Sequence, residues 1–141
     1  MYSLRPATAD DYDFLRWLHR ATLREYVDQT WGWDEYVQAT LFRERFDPSR
    51  DQIVLVDGQD AGVLRVERRE AEVFLASLLI APAYQGRGVG TAILEDLKAE
   101  AARAGVPLSL QVLKVNPARR LYERRGLRVT AETATHYLMS T

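Results

Sequence analysis

Seven residues, Gln85-Gly86-Arg87-Gly88-Val89-Gly90-Thr91, carry the densest run of glycine in the chain. Glycine lets a backbone approach a ligand closely. Just downstream, Ile93, Leu94, Leu97 and Ala101 repeat at helical spacing. The first turn of a helix leaves its N–H groups unpaired and carries the positive end of the helix dipole. A glycine loop feeding such a turn is suited to hold a phosphate or pyrophosphate, with Arg87 available to neutralise it. Two familiar patterns do not fit. A nucleotide P-loop ends in Gly-Lys-Ser/Thr, and no lysine precedes Thr91 here. In the dinucleotide fingerprint G-x-G-x-x-G the third glycine would follow one residue later than Gly90. The pattern left is Q/R-x-x-G-x-G/A, met by Gln85, Gly88 and Gly90. The plain alternative is a tight turn that holds nothing.

The elements that must position this loop follow from periodicity and punctuation. Val73 to Ile80 is a nearly unbroken apolar run ended by Pro82, which predicts a central strand covered on both faces. The loop then opens the helix of Ile93 to Ala101, closed by Gly105. Upstream, a short strand at Tyr2 to Arg5 precedes Thr8 and Asp11, which resemble a capping box. The helix they start, with Phe14, Leu15, Leu18 and Ala21 on one face, is expected to end near Asp28, where Gln29 to Trp33 breaks the pattern. Asp34 caps a second helix carrying Val37/Leu41 and Phe42/Phe46, stopped by Asp47-Pro48. Ile53 to Val56, the turn Asp57-Gly58 and Ala61 to Glu67 read as a hairpin. Leu108 to Val115 is a further strand, Pro117 starts a short helix ended by Gly126, and Leu127 to Thr130 with Ala134 to Met139 close the chain as a strand pair. The order is strand, two helices, three strands, helix, strand, helix, two strands: an α/β fold with a mixed sheet of antiparallel and parallel parts.

Composition narrows the function classes. At 141 residues the chain fits one domain, residues 1–141. Lys and Arg number 19 against 20 Asp and Glu, so no whole-molecule positive field exists to hold nucleic acid or an anionic membrane. There is no cysteine, hence no disulfide, thiol nucleophile or thiolate metal site, and two histidines do not make an imidazole-rich metal centre. No stretch approaches the roughly 20 apolar residues of a membrane span, and the N-terminus lacks a signal-peptide pattern, so a cytoplasmic location is expected.

A second motif lies about 25 residues beyond the loop: Leu113-Lys114-Val115-Asn116-Pro117-Ala118-Arg119-Arg120-Leu121-Tyr122-Glu123-Arg124-Arg125-Gly126-Leu127. Strand, Asn, short helix carrying Tyr, then Gly and an apolar residue resembles the second hallmark of the GNAT N-acetyltransferase superfamily. The glycine loop resembles that superfamily's coenzyme A pyrophosphate loop. Both occur in the right order, and the resemblance extends over essentially the whole chain. It implies a mixed sheet splayed between its fourth and fifth strands and flanked by helices. It also implies acetyl-CoA as cosubstrate and a primary amine as acceptor, without a metal; a homodimer stays open.

By the same resemblance, the backbone of Leu78, Leu79 and Ile80 pairs with the pantetheine arm, and the amides of Gln85, Gly86, Arg87, Gly88, Val89, Gly90 and Thr91 hold the pyrophosphate. Tyr122 matches the general acid at the thioester sulfur. A phenol with a pKa of about 10 can donate to a departing thiolate whose parent thiol lies near 8.5; simple helix packing is the alternative. Asn116 either meets the coenzyme or caps the helix behind it. The base has no clear candidate. The position where some members carry a glutamate is Phe74 here, and Glu72 lies two residues earlier on the same face. Glu25, Asp34 and Glu35 are further carboxylates.

The helical pair usually shapes the acceptor site in this superfamily. Here Tyr26, Trp31 and Trp33 stand among Asp28, Asp34 and Glu35, aromatic faces beside carboxylates that suit a cationic amine. Burial of the tryptophans between helix and sheet is the competing reading. His136, on the face of Leu138, reads as a packed, hydrogen-bonded histidine, and His19, beside Arg16, as a solvated one. Two other functions use the same loop. An acyl-CoA-binding module would show no turnover, and a nucleotide-binding protein would prefer ATP or NAD to CoA.

Overall fold

The computed structural model describes residues Met1–Thr141. It contains β1 (Ser3–Pro6), α1 (Tyr12–Trp31), α2 (Glu35–Arg45), β2 (Gln52–Val56), β3 (Gln59–Arg68), β4 (Val73–Ile80), α3 (Val89–Ala104), β5 (Leu108–Leu113), α4 (Ala118–Arg124), β6 (Arg128–Glu132) and β7 (His136–Ser140). The seven strands form one sheet in the order β1-β2-β3-β4-β5-β7-β6. Every neighbouring pair is antiparallel except β4 and β5. The mixed sheet and the element order are those read from the sequence.

Local chemistry sets the boundaries. The amide of Thr8 donates to Asp11 Oδ2 across 2.8 Å, and Asp11 is buried beneath the forked guanidinium of Arg5. The helix expected to stop near Asp28 runs three residues further. It ends at Gly32, whose φ of 82° permits the reversal and whose N–H donates to the carbonyl of Asp28. The polar residues from Gln29 onward do not break it, because Thr30 bonds back onto the carbonyl of Tyr26 within the helix. Asp34 caps α2 through Val37 N–H at 2.9 Å. Asp57 and Gly58 both take positive φ, the geometry of a tight hairpin turn.

Two apolar layers hold the sheet. The larger joins one face to α3 through residues such as Leu75, Ile93, Leu94, Leu108 and Leu110; the smaller joins the other face to α1 through Leu15, Leu18, Ile53 and Val63. β4 does not behave as a strand covered throughout. Val73 and Leu75 are buried, but Ala76 is exposed and Ser77 to Ile80 are only half-buried. There are two causes. The register with β3 slips so that Arg65 faces Ser77 and Val66 faces Leu75, leaving Ala76 as a bulge. And β5 departs from β4 at the same point.

Candidate active site

β4 and β5 pair at only three positions, Val73 with Leu108, Phe74 with Ser109 and Leu75 with Leu110. Beyond Leu110, β5 stays paired with β7 as far as Leu113 opposite His136, while β4 stays paired with β3 as far as Ile80 opposite Gly62. The two strands therefore part, each held by its outer neighbour. The backbone of Ala76 to Ile80 presents unused ladder positions to the gap, which an extended amide chain can take up.

Two cavities meet in this gap. One, of about 420 Å³, is bounded by Leu78, Leu79, Ile80, Gln85 and the glycines 86, 88 and 90. The other, of about 940 Å³, lies toward β5 and β7 and is bounded by Ser77, Ser109, Gln111, His136 and Leu138. Leu23, Leu78, Leu79, Asn116 and Tyr122 line both, so the two spaces adjoin beside the Tyr122 phenol.

The loop has the form its sequence requires. Gly86 and Gly88 take φ of 75° and 80°, and α3 starts directly at Val89. A Cβ built on Gly86 or Gly90 would meet nothing within 4 Å, so these glycines border open space. Gly88 to Thr91 thus offer unpaired helix N–H groups beside a smooth backbone, a fit for a diphosphate. Val89 itself is buried and anchors the turn. Arg87 does not line this cavity but stacks at 5.3 Å over the ring of Tyr84, which does.

Tyr122 is largely enclosed, and burial raises its pKa above that of a free phenol, so it stands protonated at neutral pH. Asn116 Oδ1 accepts from Ala118 N–H at 2.9 Å, the capping role, while its amide NH₂ is free to face the two cavities. Glu72 lies just before β4, paired with Arg69 at 2.6 Å. Six residues of strand, about 20 Å, separate it from Leu78, so Glu72 and Tyr122 line the same cavity without being brought together. Glu25 is exposed, Asp34 is used as a cap, and Glu35 is shared by Arg16, Arg20 and Arg24.

Tyr26, Trp31 and Trp33 go to three different places. Tyr26 borders the cavity of the glycine loop. Trp31 is exposed and meets the His136 ring at 6.1 Å. Trp33 stacks with Arg24, donates to Glu35 and borders a separate space between α1 and α2. Neither tryptophan is buried between helix and sheet. His19 is not solvated: α2 folds back so that Phe42 packs against its ring at 5.1 Å, and burial lowers its pKa. Ser77 and Leu23 border the gap without any signal in their sequence context.

A family model for the acetyltransferase (GNAT) domain matches residues 22–136. The chain belongs to the GNAT acetyltransferase family. It is an acetyltransferase with acetyl-CoA as cosubstrate. The fold of this acetyltransferase is similar to PaiA N-acetyltransferase from Thermoplasma acidophilum, solved with coenzyme A, at a TM-score of 0.79 and 14% identity over 100% of this chain and 98% of that one. An acetyltransferase from Thermus thermophilus is similar at 0.72 and 24%, over 100% and 96%. The ribosomal-protein-S18-alanine N-acetyltransferase of Escherichia coli is similar at 0.66 and 21%, over 99% and 92%. No curated protein matches the sequence at a significant level.

Proposed function

We propose that this acetyltransferase moves the acetyl group of acetyl-CoA onto a primary amine by direct attack, with both substrates bound together. The observation that carries this reading is the gap between β4 and β5, where two adjoining cavities share Tyr122 as a wall. The pyrophosphate sits on the amides of Gln85 to Thr91, and Arg87 contributes charge from its stacked position. The pantetheine arm follows the free edge of Leu78, Leu79 and Ile80 as an added strand, with the Asn116 amide beside it.

The amine nitrogen attacks the thioester carbonyl carbon; an N–C bond forms and the C–S bond breaks. A backbone N–H on the β4 edge stabilises the oxyanion. The Tyr122 phenol donates to the leaving sulfur. The proton shed by the amine passes to water in the larger cavity. Two groups on that wall can receive it: Glu72 at the far end, and His136 at the near end. In the tautomer that donates from Nδ1 to Thr135 Oγ1, across 2.8 Å, the His136 Nε2 is a free acceptor.

All 141 residues act as one domain in this reading, since β1, outside the family match, belongs to the same sheet. A cytoplasmic location accords with it, and no helix is long and apolar enough to cross a membrane. The N-acetyltransferases among similar folds accord with an amine acceptor. Release of free CoA thiol from acetyl-CoA, measured across amines, amino acids and peptides, tests the proposal. Amine-dependent release is expected. Acetyl-CoA binding without release in the presence of any amine would instead favour the binding module.

A further inference from the structure

A third cavity, of about 350 Å³, lies between α1, α2, the segment from Phe46 to Asp51 and strands β3 and β4. It adjoins the reaction centre across shared walls. Ala76 and Ser77, at the β4 bulge, line both this cavity and the larger one of the gap, and Leu23 lines all three spaces. Ser77 immediately precedes Leu78, so the inner end is within one or two strand residues, about 3–7 Å, of the edge assigned to the acyl arm. Its volume is at the small end of the range of about 300–1,000 Å³ for small-molecule sites.

The walls are apolar, with a surplus of positive charge. Leu15, Leu41, Phe42, Phe46 and Val63 supply the apolar part. The carboxylates are already engaged: Asp51 holds Arg65 at 2.7 Å, Glu67 holds Arg50 at 2.6 Å and also Arg69, and Asp47 accepts from the backbone and hydroxyl of Ser49. Arg45 makes no ion pair. Arg16 reaches Glu35 only at 3.7 Å, and that carboxylate is shared with Arg20 at 2.9 Å and Arg24 at 3.5 Å. A guanidinium without an ion partner, that of Arg45, and one held only loosely, that of Arg16, beside apolar surface favour an anion carried on a small organic molecule.

We propose that this cavity receives the acceptor, and that the acceptor is a small primary amine bearing its own carboxylate, an amino acid or other amino-carboxylate. Arg16 and Arg45 hold the carboxylate, the apolar wall takes the side chain, and the amine is directed past Ser77 to the thioester. A polyamine meets surplus cations here, and a peptide exceeds the space. This inference rests on the acetyl-transfer reading.

The test measures binding and turnover separately. The CoA-loaded protein is titrated with each of the twenty amino acids, its amide, and the amine left by decarboxylation, while CoA release is followed in parallel with acetyl-CoA. At least one amino acid should bind about tenfold or more tighter than both its counterparts lacking the carboxylate. Arg45→Gln, at an exposed position, and Arg16→Gln should each shrink that preference toward unity with acetyl-CoA affinity unchanged. Amides or plain amines binding as well as every amino acid, or a preference that survives both substitutions, would overturn the proposal. Selective binding without CoA release would leave the site standing and remove the transfer reading. Turnover of amines lacking a carboxylate, with amino acids inert, would do the reverse.

Discussion

The side-chain amide of Gln85 donates to the main-chain carbonyl of Ile80 across 2.9 Å. The first residue of the glycine loop is thereby tied to the last residue of β4, fixing the cradle for the diphosphate relative to the strand edge that takes the pantetheine arm. Gln85→Ala removes one hydrogen bond, worth about 1 kcal/mol. The expected outcome is a melting temperature lower by a few degrees and a Kd for acetyl-CoA raised by up to roughly fivefold. A calorimetric titration reads both the affinity and, through its stoichiometry, the fraction folded.

Gly62 pairs with Ile80 on the other edge of β4. A Cβ there would lie 2.3 Å from the carbonyl oxygen of Leu79 and 3.0 Å from Ile80 Cδ1. The first is backbone and cannot swing aside. Gly62→Ala should cost about 1–3 kcal/mol and lower the melting temperature by several degrees, with weaker acetyl-CoA binding because the same strand end is pushed into the gap. Thermal melts with and without acetyl-CoA separate the two effects.

Much of this site can be read in the sequence, and the reasons differ by residue. Gly86 and Gly88 are readable because a backbone of positive φ leading into a helix leaves a glycine signature, and Gln85 because it stands at a fixed offset before them. Asn116 and Tyr122 are readable because they sit at fixed offsets around a short helix. What fails to show depends on long-range geometry. Trp31 and Trp33 are two residues apart, yet the turn at Gly32 sends one to His136 and the other to Arg24. His19 lies on a polar stripe of α1 and is enclosed only because α2 doubles back. The bulge at Ala76 shifts the alternation of β4, so apolar spacing alone misjudges which residues face the cleft. An apolar strand also reads the same whether its faces meet helices or a ligand.

Tyr122 loses its only ionisable group in Tyr122→Phe. If its phenol assists departure of the thiolate, kcat should fall about 10²-fold while the Kd for acetyl-CoA stays within about twofold, since the ring remains. Burial raises the Tyr122 pKa, so the folded enzyme keeps this proton to higher pH than a free phenol does. Steady-state rates up to about pH 9 should show no decline that the Phe variant lacks.

His19 predicts an acid sensitivity. Burial is the main cause of its lowered pKa; Arg65 and Arg16 act in the same direction, and Asp51 opposes them. The unfolded chain protonates this histidine near 6.5 while the folded one resists, so the stability it contributes is present above that pH and is lost as pH falls through the lowered folded value. Urea midpoints measured from about pH 7.5 down to about pH 5 should decline, and His19→Gln should flatten the decline. Parallel curves for the two proteins would remove this explanation.

Calorimetric titration of the purified chain with acetyl-CoA, run beside ATP and NAD and checked by thermal melts, decides whether the glycine loop and the β4 edge form a coenzyme A site. One acetyl-CoA should bind per chain and raise the melting temperature, with much weaker binding of the other two. No heat and no thermal protection from acetyl-CoA, or tighter binding of ATP or NAD, would refute that assignment.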